Sequence, residues 1–266
     1  MPHRPRKRFG QHFLHDPRTV ERIVAAVTPA PTDTLVEIGP GEGVLTAPLL
    51  AAAGELHAVE LDRDLAAALR ARPQWQDRLH IHAADALAFD FAALAPAGGR
   101  IRIIGNLPYN ISTPILFHLL TQRSAIADMH FMLQREVVAR ITAGPQDKAY
   151  GRLSVMLQAD CHCQQLFRVA AGAFRPPPAV ESAVVRLVPR TDPIVTRAEH
   201  ATFAELVRRA FSARRKTLRN ALRGYVDEPT FAAAGIDADQ RAERLAVADF
   251  ARLARARDDG ARGGTV

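Results

Sequence analysis

Short apolar runs alternate with segments of helical periodicity in the first half of the chain, and this alternation constrains the fold more than any other feature. The runs have the length and residue types of buried strands: 34–38, 55–61, 79–83, 100–105 and 128–133. Helix-like segments such as 44–54, 63–72 and 114–122 lie between them. Strands that alternate with helices form a parallel sheet with right-handed crossovers. The sequence therefore predicts an α/β fold with a doubly wound sheet.

The pattern changes towards the end of the chain. Two strand-like runs flank the proline cluster at 176–178, which suits a long connection that ends in a hairpin at the sheet edge. From 189 to 195 the composition turns to Pro, Asp and Thr, and beyond this segment the periodicity is helical. We predict two domains, a sheet domain over 1–190 and a small all-helical domain over 191–266.

Composition narrows the class of protein. The chain has 266 residues, of which 48% are hydrophobic, enough for one sizeable core and a smaller appendage. Its 35 Lys and Arg exceed its 28 Asp and Glu, so the net charge of +7 favours an acidic partner, most often nucleic acid. No run of roughly 18 apolar residues occurs, and the basic start is not followed by the apolar run that is typical of a secretory signal. We expect a cytoplasmic protein without a membrane partner.

The two cysteines do not form a convincing metal site. Cys161 and Cys163 alternate along a strand-like segment, so their side chains point to opposite faces. A zinc site needs more ligands than this cluster supplies. We interpret both as structural cysteines and expect no bound metal.

A glycine-rich turn follows the first predicted strand and opens a helix. Gly39, Gly41 and Gly43 allow a sharp turn and a close approach of the backbone to a ligand. The spacing Gly-x-Gly-x-Gly lacks the third Gly of the dinucleotide fingerprint, which lies one position later. The spacing favours a ligand without a pyrophosphate and disfavours a nicotinamide dehydrogenase.

Carboxylates stand at the ends of the next two strands. Glu60 is placed to accept hydrogen bonds from ribose hydroxyls, whereas Asp62 is better explained as a helix N-cap. Asp85 is placed to accept from an adenine amino group, although a loop-capping role explains it equally well when it is taken alone. Because successive parallel strands end on one rim of the sheet, these features predict a nucleoside site there.

Five motifs, in this order and spacing, resemble the ribosomal RNA adenine N6-dimethyltransferases, and residues 148–155 resemble their small-subunit branch. The motifs cover nearly the whole chain: FGQHFL (9–14), EIGPGEG (37–43), ELDRD (60–64), NLPYNIST (106–113) and FRPPPAVESAVVRL (174–187). The resemblance implies a Rossmann-like class I methyltransferase that uses S-adenosylmethionine. At matching positions it implies that the cofactor contacts His12, Leu14, Gly39, Gly41, Glu60, Asp85 and Asn106. His12 departs from the family, which usually has Asn there.

The segment Asn106-Leu107-Pro108-Tyr109 suits the activation of an adenine amine. The lone pair of this amine is delocalised into the ring, and acceptors placed on its two N–H bonds restore it in the transition state. The side-chain carbonyl of Asn106 and the backbone carbonyl of Leu107 can serve as these acceptors, with Pro108 holding the turn rigid. Tyr109 offers a ring on which an extruded base can stack. Standing alone, the motif would be read as a capped turn.

By resemblance, Phe174 is a candidate for a second ring that faces Tyr109 across the base. The alternative is a hydrophobic plug beneath a proline-stiffened loop. Together, the resemblance implies that Asn106, Leu107, Pro108, Tyr109 and Phe174 form the catalytic set.

Two basic segments are candidates for RNA contact, namely 3–8 and 207–224. If the second runs as one helix, part of one face carries six basic side chains: Arg208, Arg209, Arg215, Lys216, Arg219 and Arg223. Such a face suits an RNA phosphate backbone, and a solvated helix face is the alternative.

The resemblance implies dimethylation of two adjacent adenosines near the 3′ end of small-subunit ribosomal RNA, within the assembling 30S particle. One rival is a large-subunit ribosomal RNA dimethyltransferase. Another is a non-catalytic assembly or nucleic-acid-binding protein on the same fold. We expect a monomer, because the sequence shows no obvious exposed apolar stripe.

Overall fold

The computed structural model describes residues 11–213 and 215–263, with side chains to residue 260. The basic segment 3–8 lies outside the described residues. In the described part of the chain the strands are β1 (Phe13–Leu14), β2 (Thr34–Ile38), β3 (Leu56–Val59), β4 (Leu79–His82), β5 (Ile101–Asn106), β6 (Ile126–Gln134), β7 (Cys161–Val169), β8 (Phe174–Arg175) and β9 (Ser182–Pro189). The helices are α1 (Pro17–Val27), α2 (Thr46–Ala53), α3 (Arg63–Arg70), α4 (Ser112–Thr121), α5 (Arg135–Thr142), α6 (Arg152–Asp160), α7 (His200–Ala210), α8 (Leu218–Ala221), α9 (Glu228–Ala234) and α10 (Val247–Gly263).

Seven strands form the main sheet in the order β4-β3-β2-β5-β6-β9-β7. Strands β2 to β6 pair in parallel, and β9 pairs antiparallel with β6. β1 and β8 form a separate antiparallel pair, in which Leu14 lies opposite Phe174. The predicted α/β fold and the parallel sheet are confirmed, and each predicted strand in the first half overlaps an observed one.

The central strands are buried because the sheet is covered by apolar side chains. Leu35, Val36 and Ile103 on β2 and β5 are fully buried, and α2 adds the buried Leu49. Parallel strands that are buried on both faces consist of continuous apolar residues, and for this reason they could be predicted from the sequence.

One ion cluster ties the start of β5 to its neighbours. The Arg102 guanidinium bonds Asp33 at 2.7 Å and Asp128 at 2.9 Å, and it also donates to the Val27 carbonyl at 2.6 Å. Burial opposes the charge on Asp128, but the bonds from Arg102 hold the pKa of this carboxyl below its usual value. The charges are paired and hydrogen-bonded, as buried charges must be.

The chain divides into two compact units, and the division differs from the predicted one. The first contains residues 1–138 and 164–189, and the second contains 139–163 and 190–266. The last segment of the second unit begins at residue 190, one residue before the predicted second domain, and residues 139–163 group with this segment. The physical reason is a set of contacts inside the second unit. The Tyr150 hydroxyl donates to the Leu245 carbonyl at 2.9 Å, and the Gln146 amide donates to the Glu243 carbonyl at 2.8 Å.

The second unit is helical, with α10 packed against α6, α7 and α9. In the described part of the chain, no helix is both long and apolar enough to span a membrane.

Gly43→Ala should destabilise the first unit more than Gly54→Ala. Both glycines have positive φ, 81° at Gly43 and 89° at Gly54, so each substitution costs about 1–2 kcal/mol in backbone strain. At Gly43 a new Cβ would also lie 2.8 Å from the Trp75 ring, whereas nothing lies within 4 Å at Gly54. Overpacking adds about 1–3 kcal/mol. Urea unfolding measures both losses, and equal losses would show that the Trp75 contact is unimportant.

Candidate active site

The carboxyl ends of the parallel strands meet at one edge of the sheet, and a cavity of about 280 Å³ lies there. The register places Ile38 on β2 beside Val59 on β3 and beside Gly105 on β5, so the residues that follow these strands come together. The lining includes every predicted cofactor residue and most of the predicted catalytic ones: His12, Leu14, Gly39, Gly41, Glu60, Asp85, Asn106, Leu107, Pro108 and Tyr109. Ligands of open α/β sheets bind at this edge.

The glycine-rich turn forms one wall. The Gly39 amide donates to the Val59 carbonyl at 2.9 Å, which ties the turn to β3. Gly41 has a φ of 56°, and a Cβ added there would lie 3.1 Å from the Phe13 ring. A glycine is therefore needed at this position, both for the backbone conformation and for the close approach of Phe13.

Glu60 follows β3 and is almost fully buried, with 6% of its surface exposed. One carboxylate oxygen accepts from the Asp62 amide at 2.8 Å and the other from the Gly41 amide at 3.2 Å. Burial raises the pKa of Glu60 above its usual value, although these bonds lower it. Asp62 caps α3 by accepting from the Asp64 amide at 3.0 Å, so the predicted N-cap is confirmed.

Glu37 is a further buried carboxyl in the cavity wall, and we did not predict it from the sequence. It lies on β2 and accepts a hydrogen bond from the Thr46 hydroxyl at 2.6 Å. Burial raises the pKa of Glu37 to about 7; the Thr46 bond opposes this shift and the nearby charge of Glu60 adds to it. The signal was available, because an acidic residue inside a buried apolar strand is uncommon.

Asp85 lies at the rim, where it is exposed. Its Oδ1 accepts from the Leu87 amide at 2.9 Å, which is the loop-capping contact that we considered as the alternative. Asp85 also lines the cavity, so its capping bond and a ligand contact through the other oxygen are compatible.

Asn106 ends β5 with its side chain held in one orientation. Its Nδ2 donates to the backbone carbonyl of His12 at 3.0 Å, and the next amide, that of Leu107, donates to the Met132 carbonyl at 3.2 Å. Within the described residues neither Oδ1 of Asn106 nor the Leu107 carbonyl has a hydrogen-bond partner. The two acceptors that the sequence predicted are thus available in the cavity wall.

Tyr109 is half-buried beside these acceptors. Its hydroxyl shares a 2.7 Å hydrogen bond with the Ser182 hydroxyl, and the Ser112 hydroxyl donates to its backbone carbonyl at 3.1 Å. Burial raises the pKa of Tyr109, and the bond to Ser182 lowers it. The ring stacks on His12, with centroids 5.7 Å apart and planes 27° apart. Neither the Ser182 contact nor the His12 contact followed from the sequence, because both join segments far apart in the chain.

The role of Phe174 as a second ring facing Tyr109 across the base stays a prediction. Only 2% of Phe174 is exposed, and its side chain belongs to the hydrophobic core with Leu14, Val169 and Ala173. The cavity lining does not include it. Its burial is consistent with the hydrophobic plug that we considered as the alternative.

The basic segment of the second unit is not one helix. α7 ends at Ala210 and α8 begins at Leu218, so the predicted continuous charged face is interrupted. The apolar side chains nevertheless pack as expected, since Leu206, Leu218 and Leu222 are fully buried.

Ion pairs divide the six basic side chains into two groups. Arg208 and Arg209 bond Glu205 at 2.7 and 2.6 Å. Arg219 bonds Glu228 and also Asp239, the latter at 3.0 Å. The side chain of Arg223 donates to that of Asn220 at 3.3 Å. Arg215, Lys216 and Arg223 are exposed and form no ion pair within the described residues, so they make up the second group.

The donor set of the cavity fits S-adenosylmethionine, a cation with a ribose and an adenine. Glu37 and Glu60 are buried carboxyls whose pKa values are raised mainly by burial, and neither forms an ion pair within the described residues. A sulfonium or ammonium group nearby would stabilise their charged forms. The oxygens of Glu60 and Asp85 suit hydroxyl and amino donors, respectively.

Comparison with known proteins agrees with this geometry. A family model for ribosomal RNA adenine dimethylase matches residues 2–259. Ribosomal RNA small subunit methyltransferase A of Methylococcus capsulatus is 56% identical over 255 residues, which cover 96% of this chain and 98% of the relative. The protein of the same name from Xanthomonas campestris pv. campestris strain B100 is 57% identical over 249 residues, covering 94% and 95%.

Two solved structures have the same fold over most of the chain. The dimethyladenosine transferase from Plasmodium falciparum has a TM-score of 0.79 and 25% identity, covering 91% of this chain and 96% of its own. The 23S rRNA methyltransferase ErmE has a TM-score of 0.72 and 25% identity, covering 92% and 99%. With its strand-end cavity, its glycine turn and its Asn106 acceptor, the chain belongs to the ribosomal RNA adenine dimethylase family.

Proposed function

We propose that the protein transfers methyl groups from S-adenosylmethionine to the N6 amines of two adjacent adenosines near the 3′ end of small-subunit ribosomal RNA. The products are dimethyladenosines, made within the assembling 30S particle. The observation that carries this proposal is the Asn106 side chain, whose Nδ2 donates to the His12 carbonyl and whose Oδ1 has no partner among the described residues, in the wall of a cavity with buried carboxyls. The relatives named as small-subunit enzymes are 53–57% identical to the chain, against 25% for the 23S enzyme, which favours the small-subunit substrate.

The chain's own groups activate the amine. Oδ1 of Asn106 accepts one N–H of the adenine amine, and the Leu107 carbonyl accepts the other. These bonds favour a pyramidal nitrogen whose lone pair points away from the ring, and they are strongest as positive charge develops on nitrogen. Both acceptors are held before the substrate arrives, so little reorganisation is needed.

Methyl transfer also requires that the amine nitrogen, the methyl carbon and the sulfur lie in line. S-adenosylmethionine supplies an electrophilic methyl group on a positively charged sulfur. Glu60 and Asp85 hold the nucleoside part of the cofactor, and the buried carboxyls complement its charge. Tyr109 stacks on the target base and keeps the nitrogen in line with the methyl group. No general base is needed for the attack itself: the N–C bond would form as the S–C bond of the cofactor breaks, S-adenosylhomocysteine would be the leaving group, and the amine proton would pass to water after transfer.

The second unit supplies RNA affinity in this proposal. Of the six basic side chains, Arg215 and Lys216 are exposed and have neither an ion pair nor a side-chain hydrogen bond within the described residues, so they are the best placed to neutralise RNA phosphates. We also propose that the protein acts as a monomer. In support, large exposed hydrophobic side chains are few among the described residues, namely Leu61 and Val180, and they do not form a stripe.

The direct test is methyl transfer from tritiated S-adenosylmethionine to undermethylated small subunits, large-subunit RNA or naked DNA, followed by digestion to nucleosides. We expect label in dimethyladenosine from the small subunit alone. Tight binding to the small subunit without label in any acceptor would favour the non-catalytic assembly role instead.

Asn106→Ala should lower kcat by about 100- to 1,000-fold, because it removes one acceptor that acts mainly in the transition state. Affinity for S-adenosylmethionine, measured by calorimetry, should stay within about tenfold of wild type. Normal turnover in this variant would contradict the activation mechanism.

Tyr109→Ala should reduce kcat/KM by about 5- to 150-fold, the range expected for the removal of one base–aromatic stack. Tyr109→Phe keeps the ring and removes the bond to Ser182, so its loss of activity should be less than about tenfold. Steady-state kinetics on undermethylated small subunits measure both. Equal losses would exclude a stacking role.

The double variant Arg215→Ala/Lys216→Ala should weaken binding to small subunits and reduce the salt dependence of log Kd by about 1 for each phosphate that is no longer neutralised. The matched control is Arg208→Ala/Arg209→Ala, which removes two cations already paired with Glu205. Its effect on the salt slope should be smaller. An unchanged slope in the first variant would assign Arg215 and Lys216 to solvent.

A further inference from the structure

The segment that follows α3 packs against the glycine-rich turn from outside the cavity. α3 ends at Arg70, and Pro73 begins a 3-10 turn that contains Trp75. A residue before proline is biased towards an extended backbone, and Arg72 has φ −83° and ψ 107°. Trp75 is buried, with 8% of its surface exposed, and Arg72 is half-buried. The segment therefore places a ring and a cation next to the turn.

Trp75 contacts the turn through the edge of its ring. A Cβ added to Gly43 would lie 2.8 Å from Cη2 and 3.0 Å from Cζ3 of this ring, so the backbone of Gly43 lies close against the indole. The face of the same ring carries Arg72, whose Cζ lies 4.3 Å from the ring centroid. This distance is within the range of a cation–π contact, and the contact fixes the plane of the guanidinium.

The guanidinium of Arg72 also bonds the turn itself. Its Nη2 donates to the Glu42 carbonyl at 2.8 Å. The N–H of the same peptide, that of Gly43, donates to the Pro40 carbonyl at 2.8 Å. Because a peptide is planar and both polar groups of this one are bonded, the orientation of the peptide between Glu42 and Gly43 is fixed.

The fixed peptide belongs to the wall of the cofactor cavity. Gly41 and Glu42 line the cavity, whereas Arg72 and Trp75 are not among its described lining residues. The Gly41 amide donates to Glu60, the carboxylate that we propose holds the nucleoside part of the cofactor. Arg72 can therefore act on the cofactor only through the turn.

We propose that Arg72 is a positioning residue for S-adenosylmethionine: its guanidinium holds the peptide between Glu42 and Gly43 and keeps the glycine-rich turn in the binding conformation before the cofactor arrives. The inference rests on the proposed function, because it takes the strand-end cavity as the cofactor site. An ordered turn loses less conformational entropy when it binds a ligand, so this preorganisation raises affinity.

Arg78 offers a matched control from the same segment. Its side chain donates to the Gly54 carbonyl at 2.7 Å and to the Leu50 carbonyl at 2.5 Å, at the C-terminal end of α2. Arg78 thus bonds backbone carbonyls as Arg72 does, but away from the glycine-rich turn. Arg78→Ala should lower the stability to urea without changing cofactor affinity.

Calorimetry with S-adenosylmethionine and the full chain measures the effect on affinity. Arg72→Ala should raise the Kd by about 5- to 30-fold, the factor that corresponds to the backbone entropy of one residue. Arg72→Met keeps an apolar stem over the Trp75 ring but has no side-chain N–H donor, so it should lose as much. Arg72→Lys keeps a cationic donor and should bind the cofactor more tightly than Arg72→Met.

Two further measurements separate positioning from a merely structural role. Without cofactor, hydrogen exchange of the amides of residues 41–46 should be faster in Arg72→Met than in wild type, and unchanged in Arg78→Ala. In steady-state kinetics on undermethylated small subunits, Arg72→Met should raise KM for S-adenosylmethionine and leave kcat within about twofold, because the guanidinium does not touch the reacting atoms.

The proposal is overturned if Arg72→Met, which keeps the contact with Trp75, binds S-adenosylmethionine as wild type does. It is also overturned if Arg78→Ala weakens binding as much as Arg72→Ala, since a general loss of stability would then be the cause. Failure of the proposed function is a separate result, namely no methyl transfer by wild type to any RNA acceptor although S-adenosylmethionine binds.

Discussion

The hydrogen bond from the Asn106 amide to the His12 carbonyl is the interaction on which the site depends. An Asn side chain carries a donor and an acceptor, and only its acceptor can activate an amine. Because Nδ2 is committed to His12, Oδ1 is the atom left for the substrate. The bond from the Leu107 amide to Met132 fixes the next peptide in the same way. The segment before α1 and the end of β5 thus set the chemistry together.

The electrostatics of the cavity follow from the burial of acidic groups that form no ion pair within the part of the chain that the structure describes. Burial raises the pKa of Glu37 to about 7, against a usual value of 4.5. The stability contributed by its protonated form is fully present below about pH 4.5 and is lost as the pH rises through about 7. Near neutral pH the protein therefore bears a cost at Glu37, and to a lesser degree at Glu60, that a bound cation relieves. This complementarity favours a positively charged cofactor over a neutral nucleoside.

Much of the fold could be predicted because buried parallel strands leave apolar runs, and the run at 34–38 coincides with β2. The rim of the sheet could also be predicted, since parallel strands place their ends together. What could not be predicted depends on tertiary contacts. Burial of Phe174, the grouping of 139–163 with the C-terminal helices and the break in the basic segment at 211–217 are not encoded in local periodicity. Glu37 was the exception, because a carboxylate within an apolar strand was visible and its meaning was missed.

A crystal structure of the protein with S-adenosylhomocysteine and N6-methyladenosine would directly test whether Asn106 and Leu107 activate the amine. We expect the N6 atom within hydrogen-bond distance, about 2.7–3.2 Å, of Oδ1 of Asn106 or of the Leu107 carbonyl, with Nδ2 still bonded to His12. A structure in which Asn106 turns its Nδ2 towards the base, or in which N6 lies away from both acceptors, would contradict this mechanism.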